Sequence, residues 1–241
     1  VLLIVIRLSV AVVVVLLIAS QCRKPRWGIG RLIVRLMNRS HSSLTDWGLG
    51  HVQIECDFSI LDVGCGGGRT IQKLAAIASG GRVCGVDHSA ASVTAARRTN
   101  ADVIAAGRVE ILEGTVSALP FPEASFDLAT AVETHYYWPN LTADLREVGR
   151  VLKPGGVVVI VAEAYRRSGA ASALVAPLMR LIGARHLTVD EHRAALVAAG
   201  LTDVVIEEER RKGWICARGR RVTAAAPATP SGARPRRTTA S

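Results

Sequence analysis

Two hydrophobic periods alternate along the middle of the chain. Residues 58–63, 81–87, 108–112, 125–132 and 157–161 are short segments rich in apolar and β-branched side chains, the pattern of buried strands. Between them apolar residues recur at three- and four-residue spacing: Ile71, Leu74, Ala75 and Ala78, then Val93 and Ala96, then Leu141, Leu145, Val148 and Val151. Each set lines one helix face. Strand and helix in alternation predict an α/β fold on a parallel sheet. Local signals agree, with Ser89 placed to cap the second helix and Thr188-Val189-Asp190-Glu191 forming a capping box for a helix that runs to Gly200. Pro154-Gly155-Gly156 stops the helix before the fifth strand, and residues 204–206 and 214–217 pair as a terminal hairpin.

The first strand ends in Asp62-Val63-Gly64-Cys65-Gly66-Gly67-Gly68, an acid followed by four glycines within five residues. Glycines there let a ligand approach the main chain. A dinucleotide site wants G-x-G-x-x-G with its pyrophosphate on a helix N-terminus, a spacing these glycines fit loosely. Asp62 argues against it, because a carboxylate beside the turn repels a pyrophosphate and pairs with the ammonium of an amino-acid-like cofactor. The acid favours S-adenosylmethionine over a nicotinamide dinucleotide. Asp87, ending the second strand, is placed to accept both hydroxyls of a ribose.

Four segments occur in order: the glycine turn, Gly85-Val86-Asp87-His88-Ser89, Leu119-Pro120-Phe121, and Arg150-Val151-Leu152-Lys153-Pro154-Gly155-Gly156. Together they resemble the class I S-adenosylmethionine-dependent methyltransferases of the small-molecule type. The resemblance implies a Rossmann-like three-layer sandwich with a seven-stranded, mostly parallel sheet and an antiparallel terminal strand. It implies cofactor contacts from Asp62, Gly64, Cys65, Gly66, Asp87, His88, Thr115, Val116 and Glu133. Family members often carry an acid where this chain has Thr115, a departure that weakens the side-chain bond to adenine and leaves Val116 to clamp the ring. No metal is expected, because the cysteines lack a zinc-knuckle spacing.

By the rule that ligands bind outside the carboxyl ends of parallel strands, Glu133-Thr134-His135-Tyr136-Tyr137-Trp138 faces the reaction zone. Three aromatics in a chain only 4% aromatic suggest a walled acceptor pocket, while seam packing of Tyr137 and Trp138 is an equal reading. Glu133 and His135 are the candidate acid–base pair. Residues 165–187, basic and then apolar, fall where insertions in the resembled fold roof the acceptor site, which would suit an apolar acceptor; simple packing is an equal reading.

The formal charge of +10 suggests nucleic acid only until it is located. Residues 1–36 hold six basic and no acidic residues, 219–241 hold five and none, and 37–218 sum to −1. No specific nucleic acid is therefore expected. The five cysteines form no C-x-x-C pair, which fits a reducing, cytoplasmic setting. Residues 1–21 are long and apolar enough for a membrane anchor, with Arg23, Lys24 and Arg26 holding the following chain in the cytoplasm; a non-native extension is the other reading. Residues 22–55 are expected as a helical lid, 56–218 as the cofactor-binding domain, and 219–241 as a disordered basic tail.

The function implied is methyl transfer to a small, apolar or uncharged acceptor. The alternatives are a protein or RNA methyltransferase, a nicotinamide oxidoreductase disfavoured by Asp62, and a non-catalytic cofactor-binding protein. The sequence leaves oligomeric state open.

Overall fold

The computed structural model describes residues 42–163, 165–167, 177, 179–181 and 183–223. Helix α1 (Ser42–Leu49) precedes β1 (Ser59–Val63), α2 (Arg69–Ile77), β2 (Arg82–Asp87), α3 (Ala90–Thr99), the short α4 (Ala101–Ala105) and β3 (Val109–Glu113). Then come β4 (Phe126–Val132), a 3-10 turn (His135–Tyr137), α5 (Leu141–Val151), β5 (Leu152–Ala162), α6 (Val189–Ala198), β6 (Leu201–Glu209) and β7 (Trp214–Arg221).

The strands form one sheet in the order β3-β2-β1-β4-β5-β7-β6. The pairs β3–β2, β2–β1, β1–β4 and β4–β5 are parallel, while β7 runs antiparallel to both neighbours. Side chains alternate across a strand, and β1 shows it: Leu61 and Val63 join the core under α5 and α6, whereas Ile60 joins the core under α2 and α3. This is the Rossmann-like seven-stranded sheet that the resemblance implied.

Several local devices set the positions that matter for the site. Gly68 caps α2 at φ +79°, and a Cβ there would lie 2.8 Å from the Ala96 backbone, so only glycine lets α2 and α3 meet this closely. The Asn100 amide closes the contact by donating to the Gly68 carbonyl at 2.9 Å. On the other side, Glu147 accepts from the Leu119 N–H at 2.9 Å and Arg150 donates to the Phe121 carbonyl at 3.0 Å. These bonds pin the proline-rich turn after β3 to α5.

The expected caps at Ser89 and Thr188 are present, the latter as a complete capping box. Helix α4 was not signalled, and β5 starts at Leu152, five residues before the expected run. The tail boundary also moves: residues 219–221 belong to β7, where Arg220 pairs with Asp203 and Arg221 with Glu123.

The expectation of a transmembrane helix is corrected. Among the described residues no helix is long and apolar enough to cross a membrane, and the membrane contact and anchored location assigned to residues 1–21 are withdrawn. That stretch lies outside the described residues, as do residues 22–41 of the expected lid, much of the expected roof and the tail from 224 onward.

Candidate functional site

The C-terminal ends of β1, β2 and β4 border one cavity of about 290 Å3. It lies where the strand order reverses between β1 and β4, the position at which open α/β sheets leave a crevice.

Asp62, the penultimate residue of β1, lines this cavity and is 1% exposed. Its Oδ1 accepts the Thr130 hydroxyl at 2.7 Å, while Oδ2 has no partner. Burial pushes its carboxyl up to about 7, the Thr130 bond opposing and the nearby Asp87 charge adding to the shift. Asp87 accepts from the Gly66 N–H and the Ser89 N–H, each at 2.9 Å. Burial raises its pKa against those two bonds, the nearby His88 and a side-chain bond with Ser92.

The glycine turn runs between the two acids. The N–H groups of Gly64 and Cys65 both donate to the Val86 carbonyl, at 2.7 and 3.1 Å, which ties the turn to β2. Gly66 has φ +52°, and a Cβ built on it would meet nothing within 4 Å. The main chain is therefore open toward the cavity it lines. Cys65 also lines the cavity, and burial raises its thiol well above the usual range, so it stays a neutral packing group. His88 lies on the exposed rim with Nδ1 3.7 Å from Asp87. Thr115 and Val116 reach the same cavity from the end of β3.

The two candidate acid–base residues part company. Glu133 lines the cavity at φ +57°, its Oε1 accepting from the Tyr136 hydroxyl at 2.8 Å and the Glu163 N–H at 2.6 Å. His135 does not reach the cavity. It is fully buried, with Nε2 3.0 Å from Nε2 of His192 on α6, and burial with the neighbouring ring holds its pKa well below the usual imidazole range. The reason is local: the chain leaves β4 into a 3-10 turn, so position 135 is carried inward while Tyr137, Trp138 and Pro139 line the cavity.

Other cavity residues carried no motif. Arg69 and Thr70 open α2 directly after the last glycine, and that adjacency was the available signal. Ser42 and Thr45 come from α1; their three-residue spacing places them on one helix face. Among the described residues no three of His, Cys, Asp or Glu are grouped so as to hold a metal ion.

The family model described as "Methyltransferase domain" matches residues 61–160. The chain is 40% identical over 100 residues to 24-methylenesterol C-methyltransferase 2 of Oryza sativa subsp. japonica, a match covering 42% of this chain and 27% of the relative. It is 31% identical over 170 residues to 27-O-demethylrifamycin SV methyltransferase of Amycolatopsis mediterranei, covering 68% and 61%. The chain thus spans less than two thirds of both relatives. Among solved structures, geranyl diphosphate C-methyltransferase from Streptomyces coelicolor A3(2) superposes with a TM-score of 0.66 at 19% identity, covering 83% of this chain and 86% of that one. That likeness bears on the fold alone.

Proposed function

Because this chain belongs to the class I S-adenosylmethionine-dependent methyltransferases, we propose that it transfers a methyl group to a small, apolar or uncharged acceptor. One observation carries the cofactor half: Asp62 is buried with one oxygen unmatched. A buried, unsatisfied acceptor costs roughly 1–3 kcal/mol, a cost that a ligand ammonium removes. The open face of Gly66 and the Asp87 carboxylate, both on the same cavity, suit the rest of the same molecule.

Asp62 is assigned to the ammonium and Asp87 to the ribose hydroxyls. The backbone of Gly64, Cys65 and Gly66 frames the amino-acid portion, His88 edges the nucleoside, and Thr115 with Val116 flanks the adenine. When bound, S-adenosylmethionine supplies an electrophilic methyl group. The protein has to exclude water and align an acceptor. Val132, Tyr137, Trp138 and Pro139 line the same cavity and give the acceptor an apolar wall. The curated relatives are named for a methylenesterol and a demethylrifamycin, which supports a small organic acceptor here. Proton removal is assigned to Glu133 alone, since it lines the cavity and His135 does not.

The test is incubation of the full chain with S-adenosylmethionine and a panel of apolar alcohols, phenols and amines, read by mass spectrometry. We expect a product one methyl group heavier. Glu133→Gln should lower turnover of an acceptor that must lose a proton by ~10²–10⁴, with cofactor affinity little changed. Intact cofactor binding with no methylated product from any acceptor would contradict the activity. Parental turnover in Glu133→Gln would contradict the base.

A further inference from the structure

The cavity wall at Tyr137, Trp138 and Pro139 is held from behind by residues the chemistry does not use. His192 Nδ1 lies 2.7 Å from the Thr188 carbonyl. A carbonyl only accepts, so His192 carries its hydrogen on Nδ1 and presents Nε2 as an acceptor. The 3.0 Å approach of the two Nε2 atoms then requires the hydrogen on His135 Nε2. His135 Nδ1 is left bare, and it is one of the buried atoms without a partner. The geometry thus selects one tautomer at each ring.

Arg185, on the same segment that leads into α6, fastens the wall a second time. Its backbone N–H donates to the Tyr136 carbonyl at 2.9 Å. Its guanidinium donates to the carbonyls of Trp138 at 3.3 Å and Pro139 at 2.7 Å. Three carbonyls within four residues are therefore gathered by one arginine, while His192 holds the residue that opens the turn.

We infer that His192 and Arg185 are positioning residues, a latch from the β5–β6 connection that fixes the wall at Tyr137–Pro139 against the cavity. The latch gains its catalytic meaning from the proposal that this wall faces the acceptor. Its hydrogen bond between rings needs at least one of the two facing Nε2 atoms to be bare. One added proton keeps that bond but leaves a hydrogen on His135 Nδ1, which faces no acceptor among the described residues, and a second sets two N–H groups against each other. Along the segments that carry the two rings, the charged and titratable groups are Asp190, Glu191 and Arg193 on α6, Arg185 and His186 before it, and Glu133 two residues ahead of His135. Glu191 is engaged by Arg166 and the Thr188 N–H, and among the described residues no carboxylate bonds to either ring.

Two measurements on the full chain decide this. Nitrogen-15 NMR of the imidazoles at neutral pH should show His135 protonated on Nε2 and His192 on Nδ1. Hydrogen exchange of residues 136–138 should then be compared across the unaltered chain, His192→Phe and His192→Gln. The phenyl ring fills space but leaves the His135 N–H unmet, so exchange should rise about tenfold or more. The glutamine oxygen accepts the same bond and should bring exchange back to within about threefold of the parent. Affinity for S-adenosylhomocysteine should stay within about twofold in both variants, since its proposed ligands lie elsewhere. Reversed tautomers would overturn the latch. So would unchanged exchange in His192→Phe, or equal acceleration in both variants spread across α6 and β6, which marks simple packing. Absence of S-adenosylhomocysteine binding in the unaltered chain counts against the methyltransferase proposal, whereas tautomers and exchange decide the latch.

Discussion

Asp62 has a carboxyl raised to about 7, so near neutral pH its charge depends on what binds beside it. An ammonium favours the ionised form, and below pH 7 binding must first remove a proton from the site. Affinity for S-adenosylhomocysteine should therefore increase with pH between about 6 and 8, by at most about tenfold per unit for one linked proton. Asp62→Asn should bind weakly and without that slope. Calorimetry at three pH values checks both statements, and a flat parental profile would remove Asp62 from the ammonium. The two acids and the glycines between them were legible because their spacing follows from the turn itself. His135 was misread as facing the reaction zone, since adjacency to a strand end does not reveal which way the next turn carries a side chain. Glu133 was legible only in part: its place in the cavity followed from the strand, but its left-handed backbone, at roughly 1–3 kcal/mol, and its bonds to Tyr136 and Glu163 required the fold.

Elements with a strong period or a cap were predictable, and those without were not. Helix α4 has only five residues, with Val103 and Ile104 half-buried, too few to show a face. The end of β7 looked like a basic tail because Arg220 and Arg221 meet Asp203 and Glu123 only across distant sequence. Helix α6 was read correctly from its capping box, yet its buried His192 gave no sign of a partner 57 residues away. That pair gives a prediction at this scale. Burial lowers the pKa of both rings in the fold, so below about pH 6.5 the unfolded chain takes up protons that the native state resists. The stability contribution is complete above that pH and declines as pH falls toward the folded pKa values, by up to about 1.4 kcal/mol per unit for each ring. Urea unfolding at pH 7.5 and 5.5 should show this loss, and the double replacement His135→Phe with His192→Phe should reduce the dependence. An unchanged slope would mean that one or both rings are charged in the native state.

For the whole molecule, strand order was available only through the resemblance, because hydrophobic periodicity does not say which strand lies beside which. The structure supplies that order and places the ends of β1, β2 and β4 around one cavity. The residues proposed for the cofactor were legible as a group because a nucleoside and an ammonium would demand particular groups at particular strand ends. The proposed acceptor half was not, since alignment of a reactive methyl group prescribes no fixed side chain; the wall proposed for it is a turn bonded by Arg185 and His192. The charge of +10 also reads differently once located, with residues 37–218 summing to −1. The central claim is that the cavity between Asp62 and Asp87 takes the methyl-donor cofactor. The most direct test is isothermal titration of the full chain with S-adenosylhomocysteine and, separately, with NADH. We expect saturable binding of the first, no heat from the second, and at least about tenfold weaker binding in Asp62→Asn and in Asp87→Ala, as loss of a buried charged hydrogen bond costs roughly 2–5 kcal/mol. Binding of NADH without S-adenosylhomocysteine, or parental affinity in both variants, would contradict the account.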